Sequence, residues 1–258
     1  MKLLDLSLPT PAENLAMDEA LLDWCESGHG EETLRFWESP EYFVVVGYAN
    51  KVELEVNRLA CETAKVPILR RCSGGGTVLQ GPGCLNYNLV LQIEGNPQVE
   101  TIPKTNEFVM ERQRKAIEGV MEYWSNGVVE TDSPNTPTLQ HSITPPVVRG
   151  HTDLALSNLK FSGNAQRRKR QFLVFHGTFL LNFDLPLIAK LLQMPSKEPD
   201  YRHNRPHEAF ITNLNLPAER IKAALREVWG AHQLLSEIPD HRSLADEKYR
   251  RDDWNLKF

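Results

Sequence analysis

The most constraining feature of this sequence is a run of three consecutive glycines at 74–76, a few residues after Arg70 and Arg71. Glycine loses more conformational freedom on folding than any other residue, so a triple glycine needs a local reason. Close approach of the backbone to a ligand, or positive φ angles, supplies one. Free N–H groups in such a loop can surround an anion, and the two arginines add charged donors. We interpret residues 70–78 as a ligand-binding loop, the alternative being an ordinary turn between strands.

Length, composition and charge limit the kind of protein that carries this loop. The chain has 258 residues, of which 41% are hydrophobic and 24% charged, as is ordinary for a soluble globular protein. The net charge of −5 favours neither a nucleic acid nor an anionic membrane as partner. No run approaches the ~20 apolar residues of a membrane-spanning helix, and the start at Met1 does not resemble a secretory signal. We expect a cytoplasmic protein with no nucleic-acid or membrane partner.

Cysteine usage points the same way. Cys25, Cys61, Cys72 and Cys84 all lie in the first third of the chain. None belongs to a C-x-x-C pair, so neither a zinc site nor a disulfide framework is indicated. We expect a reduced protein without a metal-ligand cluster.

Hydrophobic periodicity predicts a fold of the α/β (α+β) class. Helices are predicted over 11–25, 52–65, 104–124, 185–192 and 217–229. Strands are predicted over 33–38, 41–48, 85–91 and 172–184, with a hairpin around Ser157-Asn158 and a glycine-containing bend after it. Residues 125–146 are predicted to form a long irregular connection with a short strand near 127–129, and the charged tail from 236 to be frayed or pinned by Trp254.

Three motifs resemble one enzyme family. Arg-Arg-x-Ser-Gly-Gly-Gly-Thr-Val at 70–78 resembles the adenylate-binding loop of the lipoate–protein ligase / octanoyltransferase family, relatives of biotin–protein ligase. Asn-Leu-Ala-x-Asp-Glu-Ala-Leu at 14–21 and Lys-Phe-Ser-Gly-x-Ala at 160–165 resemble two further family segments. The resemblance covers about residues 10–230. It implies one class II biotin/lipoyl ligase-like catalytic domain over 1–258, with a mixed, mostly antiparallel sheet flanked by helices and no separate accessory domain.

The resemblance also implies roles for particular residues, around a cleft between the glycine loop and the Lys160 segment. Lys160 is the predicted catalytic residue, because the matching lysine contacts the acyl carbonyl and the adenylate phosphate and would stabilise developing negative charge. The predicted substrate- and adenylate-binding residues are Arg70, Arg71, Ser73, Gly74, Gly75, Gly76, Thr77, Val78, Asp153, Ser162, Gly163, Ala165, Gly177 and Thr178. For His176 we favour a hydrogen-bonded core histidine over a general base. The basic run 167–170 is interpreted as a solvated turn, the alternative being contact with an acidic acceptor domain or with ATP.

The function that this resemblance favours is a lipoate–protein ligase. Such an enzyme uses ATP and Mg²⁺ to convert lipoate or octanoate into an acyl-adenylate, and a lysine of a lipoyl-domain acceptor then attacks it. The chemistry requires phosphate-binding backbone and fixed cations rather than a protein nucleophile. Because no accessory domain is expected, either one domain suffices or a separate accessory subunit takes part in activation.

Alternative functions remain open on the sequence. Octanoyl- or lipoyl-transferases of the family work through an acyl-cysteine in the second half of the domain, and this chain has no cysteine after Cys84, which favours the ligase. The Gly81-Pro82-Gly83 segment, however, resembles the transferase branch, because many ligases have His-Asp where this chain has Gln80-Gly81. A non-catalytic relative that binds lipoyl domains is a further alternative. Biotin ligase is a weaker one, because its Gly-Arg-Gly-Arg-x-Gly loop is missing.

Overall fold

The computed structural model describes residues 1–125 and 144–258, and the strand predicted near 127–129 lies outside the described residues. Eight of its strands form a larger sheet. These are β1 (Lys2–Asp5), β2 (Thr33–Trp37), β6 (Cys84–Gln92), β7 (Pro146–Arg149), β8 (Asp153–Leu156), β9 (Leu159–Arg168), β10 (Phe172–Leu180) and β11 (Gln233–Leu234). Their spatial order is β11-β1-β2-β6-β10-β9-β8-β7. β1 is parallel to both neighbours, and every other pair is antiparallel. This confirms the mixed, mostly antiparallel sheet.

A smaller sheet and several helices complete the described fold. The smaller sheet consists of β3 (Phe43–Val46), β4 (Ile68–Arg70) and β5 (Val78–Gln80), with β3 in the middle. The helices are α1 (Pro11–Glu26), α2 (Val52–Glu55), α3 (Arg58–Ala64), α4 (Ile102–Ser125), α5 (Leu185–Leu191), α6 (His207–Phe210), α7 (Ala218–Trp229), α8 (His241–Leu244) and α9 (Asp252–Asn255).

The helices pack on the sheets in layers. α4 and α7 cover one face of the larger sheet, where Ile117 and Trp229 pack in one cluster with Phe175 of β10. α1 covers the other face through a cluster that contains Met17 and Val174. A second side of α1 faces the smaller sheet, so this helix lies between the two sheets.

α1 begins where the sequence places it, because its first turn is capped. The Thr10 hydroxyl accepts a hydrogen bond from the Glu13 N–H, and the Glu13 carboxylate accepts one from the Thr10 N–H. Pro11 occupies the first helical position, where its missing N–H costs nothing. The cap fixes the helix that faces both sheets.

The predicted single helix over 52–65 is wrong, because the structure has two short helices there. Val56 between them is extended and forms a β-bridge with Leu192, and the Asn57 side chain caps α3. Leu59, an apolar residue of α3, is 74% exposed. The pairing with Leu192 comes from a segment far away in the sequence, so local periodicity does not reveal it.

The hairpin around Ser157-Asn158 is present, with Ser157 at φ 55°. The glycine-containing bend expected after it is not, since β9 runs straight through Gly163 to Arg168. The chain turns instead at Lys169 and Arg170, inside the basic run.

Residues 245–255 are pinned against β4 rather than frayed. The Trp254 indole N–H donates to the Arg70 carbonyl at 2.8 Å, and the Arg70 N–H donates to the Asn255 side-chain oxygen at 2.9 Å. Tyr249 donates to the Glu19 carboxylate of α1 at 2.7 Å. The segment thus joins the approach to the glycine loop with the central helix.

Within the described ranges, none of the helices has the length and apolar character needed to cross a membrane.

Candidate active site

A cavity of about 740 Å³ lies beside the glycine loop, between the two sheets. Its walls come from the loop on one side and from β8 and β9 on the other, and residues 193–211 contribute a further wall. The predicted site residues that line it are Arg71, Gly75, Gly76, Thr77, Val78, Asp153, Lys160, Ser162, Gly163, Ala165, Gly177 and Thr178. Arg70, Ser73 and Gly74 are absent from its lining. The sequence therefore located the cavity and most of its polar wall.

Lys160 and Asp153 form an ion pair in this wall. The Lys160 ammonium lies 2.8 Å from one oxygen of the Asp153 carboxylate. The Tyr201 hydroxyl donates to the other oxygen at 2.9 Å. Burial, and then the adjacent carboxylate, raises the pKa of Tyr201, so the phenol keeps the proton that it donates. The carboxylate is held from both sides, and the ammonium is oriented toward the cavity that it lines.

The position of Lys160 depends on a strand irregularity and on a glycine. The register between β8 and β9 shifts at Leu154/Ala155, and beyond the shift Asp153 lies opposite Gly163. A Cβ on Gly163 would lie 2.8 Å from the Lys160 nitrogen and 2.9 Å from its Cε. Gly163 therefore leaves the space in which the lysine reaches the carboxylate, which is a physical reason for Lys-x-x-Gly.

Gly177 leaves space for a different contact. A Cβ there would lie 1.6 Å from the Asn164 side-chain oxygen. That oxygen accepts a hydrogen bond from the Tyr87 hydroxyl at 2.7 Å. The predicted contact of Gly177 with the substrate stays a prediction, whereas the space that Asn164 uses is observed.

The glycine loop is held by Arg71. Its guanidinium donates to the Gly74 carbonyl at 2.6 Å and to the Gly76 carbonyl at 2.7 Å. Gly75 has a φ of 86°, which L side chains rarely adopt, and its oxygen lies so close to Gly47 that a Cβ on Gly47 would be 2.1 Å away. Burial lowers the pKa of Arg71 to about 10, so it stays charged at neutral pH. Within the described residues no carboxylate pairs with it, and this charge borders the cavity.

Arg70 lies outside the cavity. Its side chain is buried and donates to the carbonyls of Gly47, Tyr48 and Asn50 at 2.9, 3.1 and 2.8 Å, and to that of Trp254 at 3.2 Å. These bonds join the end of β3 to residues 245–255. In this arrangement Arg70 supports the backbone, and its predicted contact with an adenylate stays a prediction.

Ser73 and His176 belong to a buried polar chain. The His176 Nε2 lies 2.5 Å from the Ser73 hydroxyl, and its Nδ1 lies 3.4 Å from the Asp18 carboxylate. Asp18 in turn pairs with the fully buried Arg35 at 2.6 Å. Ser73 also accepts from Arg71 at 3.1 Å. The histidine is hydrogen-bonded on both ring nitrogens, as expected for a core histidine, and its ring also reaches the cavity wall.

Part of the cavity lining is apolar. Leu15 and Trp37, from α1 and β2, line it together with Val45 of β3. Further apolar lining residues include Val78, Leu79, Val148, Phe161, Leu180, Ile188, Leu192, Phe210 and Ile211. Side chains of this kind accept a hydrocarbon chain and offer a carboxylate or phosphate no partner.

The basic run is paired rather than solvated, except for the exposed Arg170. Arg167 lies 3.2 Å from the Glu19 carboxylate, Arg168 donates to the Val99 carbonyl at 2.7 Å, and Lys169 lies 2.5 Å from Asp23. The predicted turn is present at Lys169 and Arg170, but the prediction that the whole run is solvated is wrong.

The sequence missed the wall formed by residues 193–211. Tyr201 comes from this segment, and three backbone or side-chain contacts fix its course: the bridge from Leu192 to Val56, a hydrogen bond from Ser196 to Glu55, and one from Thr212 N–H to the Lys160 carbonyl at 2.9 Å. The mixture of His, Arg and Tyr in this loop was the available signal, but it does not say which side chain faces Asp153.

The described residues contain no group of three or more His, Cys, Asp or Glu side chains placed to hold a metal ion. Asp153, one of the predicted binding residues, uses its two carboxylate oxygens for Lys160 and Tyr201.

Comparisons with known proteins place this site in a family. The model of the lipoyl protein ligase A/B catalytic domain matches residues 10–225. Octanoyltransferase LipM of Geobacillus kaustophilus is 27% identical, covering 99% of this chain and 98% of that protein. Octanoyltransferase LipM of Clostridioides difficile is 25% identical, with coverage of 95% and 94%.

Solved structures agree on the fold. A bi-partite lipoate protein ligase from Thermoplasma acidophilum superposes with a TM-score of 0.74 at 18% identity, covering 99% of this chain and 95% of that one. LipL1 of P. falciparum, in complex with lipoate, gives 0.70 at 16% identity and covers 100% and 74%.

The comparisons correct one prediction. The relatives that match over nearly their whole length are named octanoyltransferases, which contradicts the prediction of an ATP-dependent lipoate ligase and favours its transferase alternative. The missing late cysteine was given too much weight, whereas the resemblance of Gly81-Pro82-Gly83 to the transferase branch agrees with the names of these relatives. The chain belongs to the lipoyl protein ligase A/B catalytic domain family.

Proposed function

We propose that this chain is an octanoyltransferase that moves a medium-length acyl group from a preformed donor to a lysine of a lipoyl domain. The donor is an activated acyl compound, an octanoyl thioester of a carrier protein. The names of the relatives support the reaction class. The observation that carries the proposal is a single cavity lined both by apolar side chains and by the Lys160–Asp153 pair.

The two parts of the cavity suit the two parts of an acyl donor. The hydrocarbon chain would lie along Trp37, Val45 and Ile188, where burial contributes about 0.8 kcal/mol per CH₂ group. The carbonyl would then lie toward Lys160. Lipoyl and octanoyl chains are both compatible with this arrangement, because both are apolar chains that end in a carbonyl.

Lys160 supplies charge stabilisation. When an amine attacks the acyl carbonyl, negative charge develops on the carbonyl oxygen, and an ammonium fixed in advance stabilises it. Asp153 and Tyr201 keep that ammonium in place, so little reorganisation accompanies the reaction. Arg71, on the side of the cavity formed by the glycine loop, adds positive charge to the same cavity.

A preformed donor changes which cofactors and partners are expected. The donor is already activated, so no step of this proposal uses ATP or Mg²⁺. For the same reason the proposed reaction does not require an accessory subunit. The required partners are the acyl donor and the lipoyl-domain acceptor.

The test compares two donors with the same acceptor. The purified chain is incubated with a lipoyl domain and either octanoyl-carrier protein or free octanoate with Mg-ATP, and the mass of the lipoyl domain is followed. We expect octanoylation with the carrier protein and not with the free acid.

Either of two results would refute the proposal. Modification only with octanoate and ATP would identify an acyl-activating enzyme. Binding of the lipoyl domain without modification from any donor would identify a non-catalytic relative.

A further inference from the structure

The cysteines of this chain are remote from the proposed chemistry. All four lie in the described part of the chain, and all are buried. Cys25, Cys61 and Cys84 are exposed by 1% or less and Cys72 by 5%. None of them lines the cavity that holds Lys160. A thiol that carries an acyl group between two proteins must reach both, and none of these is placed to do so.

Their environments also disfavour the thiolate, the form that attacks a thioester. Burial raises the pKa of Cys25, Cys72 and Cys84 to about 12. Cys72 lies beside Tyr249 and Glu19, behind the glycine loop. The Cys84 thiol is hydrogen-bonded to Thr178, and it is Thr178 that lines the cavity. These are features of packed structural cysteines.

The hydroxyl of Ser73 is also a possible nucleophile, because it has a histidine partner. Ser73 lies 2.5 Å from His176, which lies 3.4 Å from Asp18, so the residue types of a nucleophilic triad are present. However, Ser73 is 1% exposed, is absent from the cavity lining and is held by Arg71. An acyl carbonyl has no approach to its oxygen. This polar chain anchors the loop.

We propose that the acyl group passes in one step from the donor thioester to the acceptor lysine, with both proteins bound at once and no acyl-enzyme on this chain. The inference rests on the proposed octanoyltransferase function. It differs from the acyl-cysteine route expected for transferases of the family, and the arrangement of this chain's own residues is the reason.

The step balances without further reactants. The unprotonated amine of the acceptor lysine bonds to the carbonyl carbon, and the carbon–sulfur bond of the donor breaks. The sulfur leaves as a thiol after taking the proton that the nitrogen loses. Lys160 holds the carbonyl oxygen while it carries negative charge, and Asp153 holds Lys160. The products are an amide and the free carrier thiol.

The first experiment omits the acceptor. The purified chain is mixed with octanoyl-carrier protein alone, its intact mass is measured, and the lipoyl domain is then added. We expect no octanoylated chain before the addition and octanoylated lipoyl domain after it. An octanoyl group that appears on the chain, and moves to the lipoyl domain when this is added, would overturn the inference, whichever residue carries it.

The second experiment measures initial rates while both substrates are varied. One-step transfer predicts intersecting double-reciprocal lines, whereas an acyl-enzyme predicts parallel lines. Single Cys61→Ala and Cys84→Ala variants should keep transfer within about twofold, since their thiols take no part. A Lys160→Ala variant is the matched loss-of-activity control.

These results separate the inference from the function on which it rests. If the double-reciprocal lines are parallel, and if the chain carries an octanoyl group that passes to the lipoyl domain, one-step transfer is refuted. The octanoyltransferase function would not be affected by that result. The absence of any transfer from the carrier protein by the wild-type chain would refute that function and the inference with it.

Discussion

The two walls of the cavity use their motif residues in opposite ways. In the glycine loop, Arg70, Arg71 and Ser73 direct their polar atoms toward the protein itself and satisfy carbonyls or a histidine. In the β8–β9 wall, Lys160 and Asp153 direct theirs toward the cavity. Both motifs are easily recognised in the sequence. Only in the β8–β9 motif, however, are the charged side chains not already hydrogen-bonded to backbone carbonyls of the described residues.

The difference follows from what supports each backbone. β8 and β9 pair with neighbouring strands, which satisfy their N–H and C=O groups and leave the side chains free. The glycine loop has no ladder of its own, so its carbonyls need other donors, and Arg71 supplies them. Arg70 does the same for the carbonyls of Gly47, Tyr48 and Asn50 at the end of β3. A charged residue in a loop motif therefore indicates a ligand contact only if the nearby backbone carbonyls do not already use its hydrogen-bond donors.

The largest effect is expected from Lys160→Ala. Loss of a fixed charge at the reacting carbonyl should reduce acyl transfer by roughly 10²–10³-fold, while the free energy of unfolding changes little. Octanoylation rates and urea unfolding measure the two. Lys104→Ala, at an exposed ion pair with Glu100, is the control and should behave as wild type. Full activity of Lys160→Ala would show that the β8–β9 wall does not supply the charge that stabilises the reacting carbonyl.

Arg70→Met should act mainly on stability. It leaves the carbonyls of Gly47, Tyr48 and Asn50 without their buried donor, and the free energy of unfolding should fall by about 3 kcal/mol or more. Arg251→Met, at an exposed ion pair, should change it by less than ~0.5 kcal/mol. An Arg70→Met variant with wild-type stability and no transfer would instead mean that Arg70 contacts a ligand.

Gly163→Ala tests the space beneath Lys160. The added Cβ would meet the mobile end of the lysine at 2.8 Å, so the ammonium should move away from Asp153 and transfer should fall roughly tenfold, or ~1.4 kcal/mol in the barrier. Gly119→Ala in α4, where nothing lies within 4 Å of the new Cβ, should keep activity and gain up to ~1 kcal/mol of stability. Equal activity of the two variants would contradict the packing argument.

The smallest effect is expected from Tyr201→Phe. Asp153 loses one of its two partners while the ring still packs beside Phe210. A net hydrogen bond contributes about 1 kcal/mol, so we expect a roughly fivefold decrease in transfer with stability almost unchanged. Parallel rate measurements on Tyr123→Phe, which removes the hydroxyl of an exposed tyrosine of α4 outside the cavity lining, would show whether the loss is specific to the hydroxyl of Tyr201.

The sequence was most informative where local pattern and family motif coincide. The hairpin at Ser157-Asn158 and the start of α1 at Pro11 were both predicted, and both depend on neighbours a few residues apart. The proximity of the glycine loop to the Lys160 segment followed from the resemblance and not from periodicity.

What the sequence could not supply depends on contacts between distant segments. The helix over 52–65 breaks because Val56 pairs with Leu192, and Tyr201 reaches Asp153 only after residues 193–211 have been placed by Glu55 and Lys160. The direction of the Arg70 side chain is likewise decided by carbonyls and by Trp254. The reaction class was misjudged for a related reason, since an absent cysteine excludes one route to acyl transfer and leaves others open.

The bond from Arg70 to Asn255 has a consequence for how the protein is made. Its partners are 185 positions apart, so a ribosome completes the glycine motif long before it synthesises the residue that anchors the strand leading into it. Until Asn255 has been made, the Arg70 N–H lacks this partner, and the part of the cavity wall that follows β4 is incomplete. A nascent chain therefore carries every motif residue of the site well before it can present a working one to an acyl donor.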